Sequence, residues 1–198
     1  MTDTFASGLI GIGVPTLREL RAGVLSLAPS AASDDAVLIL REAGFAGGDA
    51  LFDAFGQWLD EQGLSAFGGS MRTGLVNRDA GELSVGDFSQ HAARFFQDAF
   101  WGTLTFATPD GQSYAEVTIA DGWESEVRPQ IDSTAAEATG VPMPGCHITT
   151  GMLAAFFGRI AGYSVAVLET ECRSAGGSHC CFAMGNADVV HHEWEKLS

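Results

Sequence analysis

All four cysteines of this 198-residue chain fall in its last third, as Cys146, Cys172, Cys180 and Cys181, and their placement restricts how that third can fold. Four thiols are too few to staple a chain of this length with disulfides. In a reducing compartment they serve as metal ligands or as small buried side chains. Cys146 opens a segment in which Met152, Leu153, Phe156, Phe157 and Ile160 form a broad apolar helical face that stops before Gly162. Two strand-like stretches follow, 163–172 and 179–184, with Gly176-Gly177 as the turn between them. A helix leading away from Cys146 and a strand leading back return the chain to one end of the molecule. Glu169, Cys172 and Cys180 would then meet Cys146 there. Three thiolates and one carboxylate are a donor set that tetrahedral zinc accepts.

Strand alternation discriminates among the donors. Neighbouring strand residues face opposite ways, so Cys180 shares a face with Phe182 and Met184, and Cys181 does not. The same rule groups Glu169 with Val165 and Val167. It sends Cys172 to the other side unless the strand ends or bulges near Glu171. Spacing by itself leaves two other readings open: buried cysteines beside a surface Glu169, or a redox role for the adjacent Cys180 and Cys181. If four protein ligands do close the shell, no position remains for an activated water, and the site is structural.

The rest of the chain reads as a single α+β domain over residues 1–198, with a helical part at 1–82 and a ligand- and metal-binding core at 83–198. Pro15 starts a first helix carrying Leu17, Leu20, Val24 and Leu27, which Pro29 ends. Ser33 and Asp34 cap a second helix through Leu38 and Leu40. A third starts near Gly48 with Leu51, Phe52, Phe55, Trp58 and Leu59 on one face and ends at Gly63. Residues 68–81 read as a loop. Ser84 and Asp87 then cap a helix with an aromatic stripe through Phe88, Ala92, Phe95 and Phe96. Segments 103–107 and 114–120 form a hairpin around Pro109-Asp110-Gly111. Residues 123–139 read as a short helix interrupted by Pro129, and the residues after Met184 as a polar tail containing His191 and His192.

Charge and hydropathy narrow the functional classes. Twenty-five acidic against ten basic residues give a formal charge of −15, which repels nucleic-acid phosphates and anionic lipid surfaces. No apolar run approaches the roughly 20 residues of a membrane span, and the N-terminus lacks the basic region of a signal peptide, so the expected location is cytoplasmic. Neither a Gly-x-Gly-x-x-Gly dinucleotide fingerprint nor a Walker motif is present.

Three stretches carry a family resemblance. They are Cys146-His147-Ile148-Thr149-Thr150-Gly151, Phe157-Gly158-Arg159, and the run from Glu169-Thr170-Glu171-Cys172 through Gly176-Gly177-Ser178-His179-Cys180. They resemble the C-terminal part of the 4-vinyl-reductase domain family, most strongly over residues 146–184. That family includes a bacteriochlorophyll-biosynthesis protein and the effector-sensing domains of aromatic-responsive bacterial activators, and its fold is akin to TRAPP tethering subunits. The resemblance implies a TRAPP-subunit-like fold of N-terminal helices packed with a small antiparallel sheet. It also implies a structural Zn2+ on Cys146, Glu169, Cys172 and Cys180, matching the Cys, Glu, Cys, Cys order of the sensor branch. The chain ends soon after this region, so it is not expected to be a complete activator.

The expected function is binding or sensing of a small aromatic or hydrocarbon molecule without catalysis. An accessory or reductase role on vinyl tetrapyrroles is the alternative, and a structural adaptor of the tethering type is a third class. The expected partners are the ligand, a second copy of the chain and a separate effector protein, with no nucleic acid and no membrane insertion. An apolar pocket with a few polar groups would suit such a ligand. Phe95, Phe96, Phe100, Trp101, Phe106, Phe156 and Phe157 are candidate walls, and His91, Trp123 and Tyr163 candidate polar groups. Most of these rings are expected to be ordinary core. The acidic pairs Asp34/Asp35 and Glu124/Glu126 read as solvated surface charge.

Overall fold

The computed structural model describes residues 14–26, 34–64, 85–99, 101–126 and 145–197. Along the chain lie helices α1 (Val14–Ser26), α2 (Asp34–Glu61) and α3 (Val85–Asp98), then strands β1 (Leu104–Ala107) and β2 (Ala115–Ile119). A 3-10 turn at Trp123–Glu126 precedes α4 (His147–Ala161), β3 (Ala166–Glu171), a second 3-10 turn at Arg173–Ala175, β4 (Cys180–Gly185) and α5 (Ala187–Leu197). The two hairpins expected from sequence join into one antiparallel sheet of order β1-β2-β4-β3. This is the α+β architecture that the sequence pattern implies. The loop at 68–81 and most of 123–139 lie outside the described residues.

Sequence reading splits 34–61 into two helices at its glycines, but α2 is one helix of 28 residues. The glycines are contact points with α4. A Cβ on Gly44 would overlap the Ile148 carbonyl oxygen, one on Gly48 would overlap the Met152 carbonyl and sit 2.8 Å from the Ala155 Cβ, and one on Gly151 would overlap the Arg41 carbonyl. The two backbones therefore approach as closely as glycine allows. The conformational cost of glycine in a helix, about 1 kcal/mol each against alanine, is offset by the packing this approach permits.

The core forms where α2, α3 and α4 meet the inner face of the sheet. Phe52, Phe55 and Leu59 from α2, Phe95 and Phe96 from α3, and Met152, Leu153 and Phe156 from α4 are buried together with Val117, Ile119, Phe182 and Met184. The opposite sheet face is covered too. Residues 187–197, read from sequence as a tail, form α5, which packs on β3 and β4. The Asn186 side chain accepts the Asp188 N–H at 3.0 Å and so caps α5, and Val190 is buried. Cover on both faces explains why β4 is buried along nearly its whole length.

Close backbone approach makes a graded prediction. Gly48→Ala should destabilise the fold by about 2–3 kcal/mol, because overpacking outweighs the gain in helix propensity. Gly47→Ala, where an added Cβ meets nothing within 4 Å, should stabilise by about 0.5–1 kcal/mol. Urea denaturation of the two variants checks the pair, and equal effects would refute the packing account.

Candidate metal centre

The first turn of α4, the end of β3 and the start of β4 converge on four buried side chains. The Sγ atoms of Cys146, Cys172 and Cys180 lie 3.5 Å (146–180), 3.9 Å (146–172) and 4.0 Å (172–180) apart. With a Glu169 oxygen they form a cluster whose donor atoms all lie within 4.8 Å of one another. These separations are far from disulfide bonding, and all four cysteines are free thiols. A tetrahedral ion with bonds of about 2.3 Å to sulfur has S···S edges of about 3.8 Å, which the three thiols nearly reproduce.

Local irregularity produces this convergence. In the β3–β4 ladder Glu169 pairs with Phe182 but Glu171 pairs with Cys181, so two steps on β3 oppose one on β4. The bulge inverts the alternation after Glu169 and turns Cys172 to the same side as Glu169 and Cys180. This is the irregularity near Glu171 that strand alternation requires. Beyond Cys172 the chain forms a tight knuckle. The Cys172 carbonyl accepts the N–H groups of Ala175 and Gly177, and Gly176 adopts φ 99°. The Arg173 N–H points at Cys180 Sγ at 3.5 Å, and Ser174 Oγ lies 3.0 Å from Cys172 Sγ. Such outer contacts orient thiolate donors. Cys181 faces the other way, with Thr118 Oγ1 3.9 Å from its sulfur.

The charges in the cluster call for a cation. Contacts from Cys146 and Cys180 drive the Cys172 thiol well down. Contacts with Cys172 and then Cys180, together with burial, drive Cys146 well up. Cys180 is lowered by Cys146, but Cys172 and burial outweigh this and push it up to about 12. Burial and then Cys172 raise Glu169 to about 9. Four acidic groups this close cannot all ionise without a compensating positive charge. Glu169 Oε2 accepts the Cys146 N–H at 2.9 Å, whereas its Oε1 is buried with no hydrogen-bond partner among the described residues. The donor set, the S···S edges and this orphaned oxygen all fit a divalent ion of zinc's preferences.

A second buried carboxylate stands behind the first turn of α4. Sequence reading places Glu124 on the surface, yet it is 1% exposed. Its Oε2 accepts the Thr149 N–H and Oγ1–H, both at 2.8 Å, and its Oε1 accepts the Ile148 N–H at 3.0 Å. Arg21 from α1, equally buried, lies 3.4 Å from Oε1. Burial pushes the Glu124 carboxyl above its ordinary range, and the Thr149 and Ile148 donors and Arg21 pull it back. The sequence signal, a Glu just after Trp123, is indistinguishable from a surface acid until the helix it caps is in place. Burial also holds the neighbouring His147 down to about 4, so this imidazole is neutral. Asp35 is exposed as expected, and the Asp34 and Glu126 side chains lie outside the described set.

The aromatic candidates divide. Phe95, Phe96 and Phe156 pack ring to ring in the core, with centroids 4.9–6.5 Å apart. Phe157 bridges Phe156, Phe88 and Phe106. Half-buried His91 stands edge-on to Trp58 at 6.2 Å. Trp101 meets Trp123 at 5.9 Å, and the Trp123 Nε1–H is buried with no acceptor among the described residues. Tyr163 is 60% exposed and does not join this ring cluster. Phe100 lies outside the described residues.

Comparison with known proteins gives this arrangement its relatives. Residues 130–186 match the model of the 4-vinyl-reductase domain family. The matched segment thus spans the metal-centre donors, α4 and the β3–β4 hairpin. In three dimensions the chain is similar to the phenol-responsive sensory domain of the transcription activator PoxR, solved with phenol. That match has TM-score 0.61 and 17% identity and covers 93% of this chain and 81% of that one. It is also similar to a trafficking protein particle complex subunit 3 from Naegleria fowleri covalently bound to palmitic acid, with TM-score 0.59 and 15% identity, covering 86% and 90%. A vinyl-4-reductase family protein from Methanocaldococcus jannaschii aligns at TM-score 0.38 and 13% identity, covering 90% and 98%, too loosely to bear on the fold. No curated protein matches the chain in sequence. At these identities the first two likenesses establish the fold and leave the ligand open.

Glu124→Ala should cost about 3–5 kcal/mol, since it leaves a buried guanidinium and two helix-terminal N–H groups uncompensated. Glu124→Gln, which keeps a hydrogen-bonding oxygen, should cost less. Thermal melts of both variants check this, and a neutral Glu124→Ala would contradict the buried pairing.

Proposed function

We propose that the chain is a ligand-binding or sensing domain for a small aromatic or hydrocarbon molecule, with structural zinc on Cys146, Glu169, Cys172 and Cys180. The observation that carries the ligand reading is Trp123. It is a buried indole whose N–H has no acceptor among the described residues and whose ring is edge-on to Trp101. A buried donor without a partner costs about 1–3 kcal/mol, which a ligand oxygen would offset. Trp101 packs against the main core beside Phe106 and Phe157, so a ligand oxygen on Trp123 would have apolar neighbours. The two fold relatives support this reading, because one was solved with phenol and the other carries palmitic acid.

Four donors complete a tetrahedral shell, so the metal's role here is to hold the α4 turn and the β3–β4 knuckle together, and the domain has no catalysis of its own. A formal charge of −15 argues against nucleic-acid contact, and no described helix is long and apolar enough to cross a membrane. Its partners are a second copy of the chain and a separate effector protein that reads ligand occupancy.

Two measurements test these readings separately. Elemental analysis of protein purified without added metal should find one zinc per chain, and Cys172→Ser should lose both zinc and folding. A stable, metal-free wild-type protein would overturn the metal reading. Calorimetric titration with phenol and benzene should show phenol binding about tenfold more tightly, the value of one added hydrogen bond, and Trp123→Phe should abolish that preference. No heat or melting shift with either compound, or with longer alkylphenols, would overturn the ligand reading.

A further inference from the structure

Arg21 sits within α1, more than a hundred residues from the cluster in sequence, yet it is 1% exposed. Its Nη2 donates to the carbonyl oxygen of Gly145 at 2.6 Å, on the residue immediately before Cys146. Its Nε lies 3.4 Å from Glu124, which holds the N–H groups of Ile148 and Thr149 just after Cys146. One guanidinium thus fixes the chain on both sides of a metal-centre thiol, upstream directly and downstream through Glu124. Gly145 has little freedom to move on its other side. A Cβ there would lie 2.6 Å from Ser174 Oγ and 3.5 Å from Cys172 Sγ.

The apolar docking of α1 is thin by comparison. Among its described side chains, Val24 packs against Ala36, Leu40 and Ile148, whereas Leu20 is 59% exposed. A helix with so little buried apolar surface depends on its polar anchor for register.

We propose that Arg21 is a positioning residue of the metal centre, and that through it metal loading and the docking of α1 form one coupled equilibrium. This rests on the metal reading above. With α1 docked, the Gly145–Cys146 peptide is held where the Cys146 sulfur completes the S···S triangle. With the four donors engaged by a metal, that same peptide presents the Gly145 carbonyl, and Glu124 behind it, to Arg21. Coupling of this kind is reciprocal: whatever α1 docking adds to metal affinity, metal adds to α1 docking. Loss of an outer-shell anchor typically lowers metal affinity by about 10–100-fold.

The experiment uses the full chain with zinc ion as the probe. Hydrogen exchange is followed by mass spectrometry with zinc bound and after chelation, and zinc affinity and release are measured against a chromophoric chelator. Two variants are compared with wild type: Arg21→Lys, and Arg21→Met combined with Glu124→Gln, which removes both charges and leaves neither unpaired. Chelation should speed exchange in α1 at least tenfold while α3 stays protected. In the double variant α1 should exchange fast with or without zinc, and zinc affinity should fall about 10–100-fold. If chelation melts the whole chain, zinc release from Arg21→Lys decides: faster release supports the coupling, and an unchanged rate overturns it. One zinc bound per chain with α1 exchange indifferent to it, or variant affinity within twofold of wild type, defeats the coupling and leaves the metal reading standing. A folded wild-type protein that takes up no zinc defeats both.

Discussion

The first turn of α4 begins at Cys146, which makes no side-chain capping bond, so its free backbone N–H groups must find acceptors elsewhere. They find two carboxylates from distant parts of the chain. Glu169 takes the Cys146 N–H, and Glu124 takes those of Ile148 and Thr149. A helix N-terminus favours negative charge, but two buried acids side by side also need positive charge nearby. Arg21 supplies it for Glu124, and the thiol cluster around Glu169 is built to hold a cation. The position of α4, the register of β3 against β4 and the docking of α1 all meet at this one turn.

From that end α4 runs through the middle of the molecule, and its two contacting faces differ in kind. Toward α2 it meets backbone, through Gly44, Gly48 and Gly151. Toward α3 and the sheet it presents Met152, Leu153, Phe156 and Phe157 to a dense set of rings. Glycine contacts fix distance and rotation with little tolerance, whereas aromatic packing is able to accommodate a guest between rings. A rigid seam on one side and an aromatic layer on the other suit a domain whose ligand enters from the ring side while the metal end stays fixed.

Much of this was legible in the residues. Helical spacing located α1, α3 and α4, and alternation located both hairpins, because those periods follow from backbone geometry alone. The choice of Cys180 over Cys181 and the need for a bulge near Glu171 came from the same two-residue period. Glycine was misread in α2, since one sequence symbol serves both as helix breaker and as close-contact residue, and only the partner helix tells which. The capped helix α5 was missed although Asn186 and Asp188 mark its start, because its polar residues hide the short buried stripe around Val190.

By itself, then, the sequence determined the element pattern, the donor set for a metal and the exclusion of nucleic acid by charge, all of which depend on residue type and local spacing. The tertiary structure decided which acids are buried, that Arg21 of α1 reaches the cysteine turn, and that Trp123 keeps an uncommitted N–H while Tyr163 stays in water. Those facts depend on what residues far apart in the chain bring to one place. Burial sets the cost of a charge or an unpaired donor, and burial is a property of the folded neighbourhood that no local pattern contains.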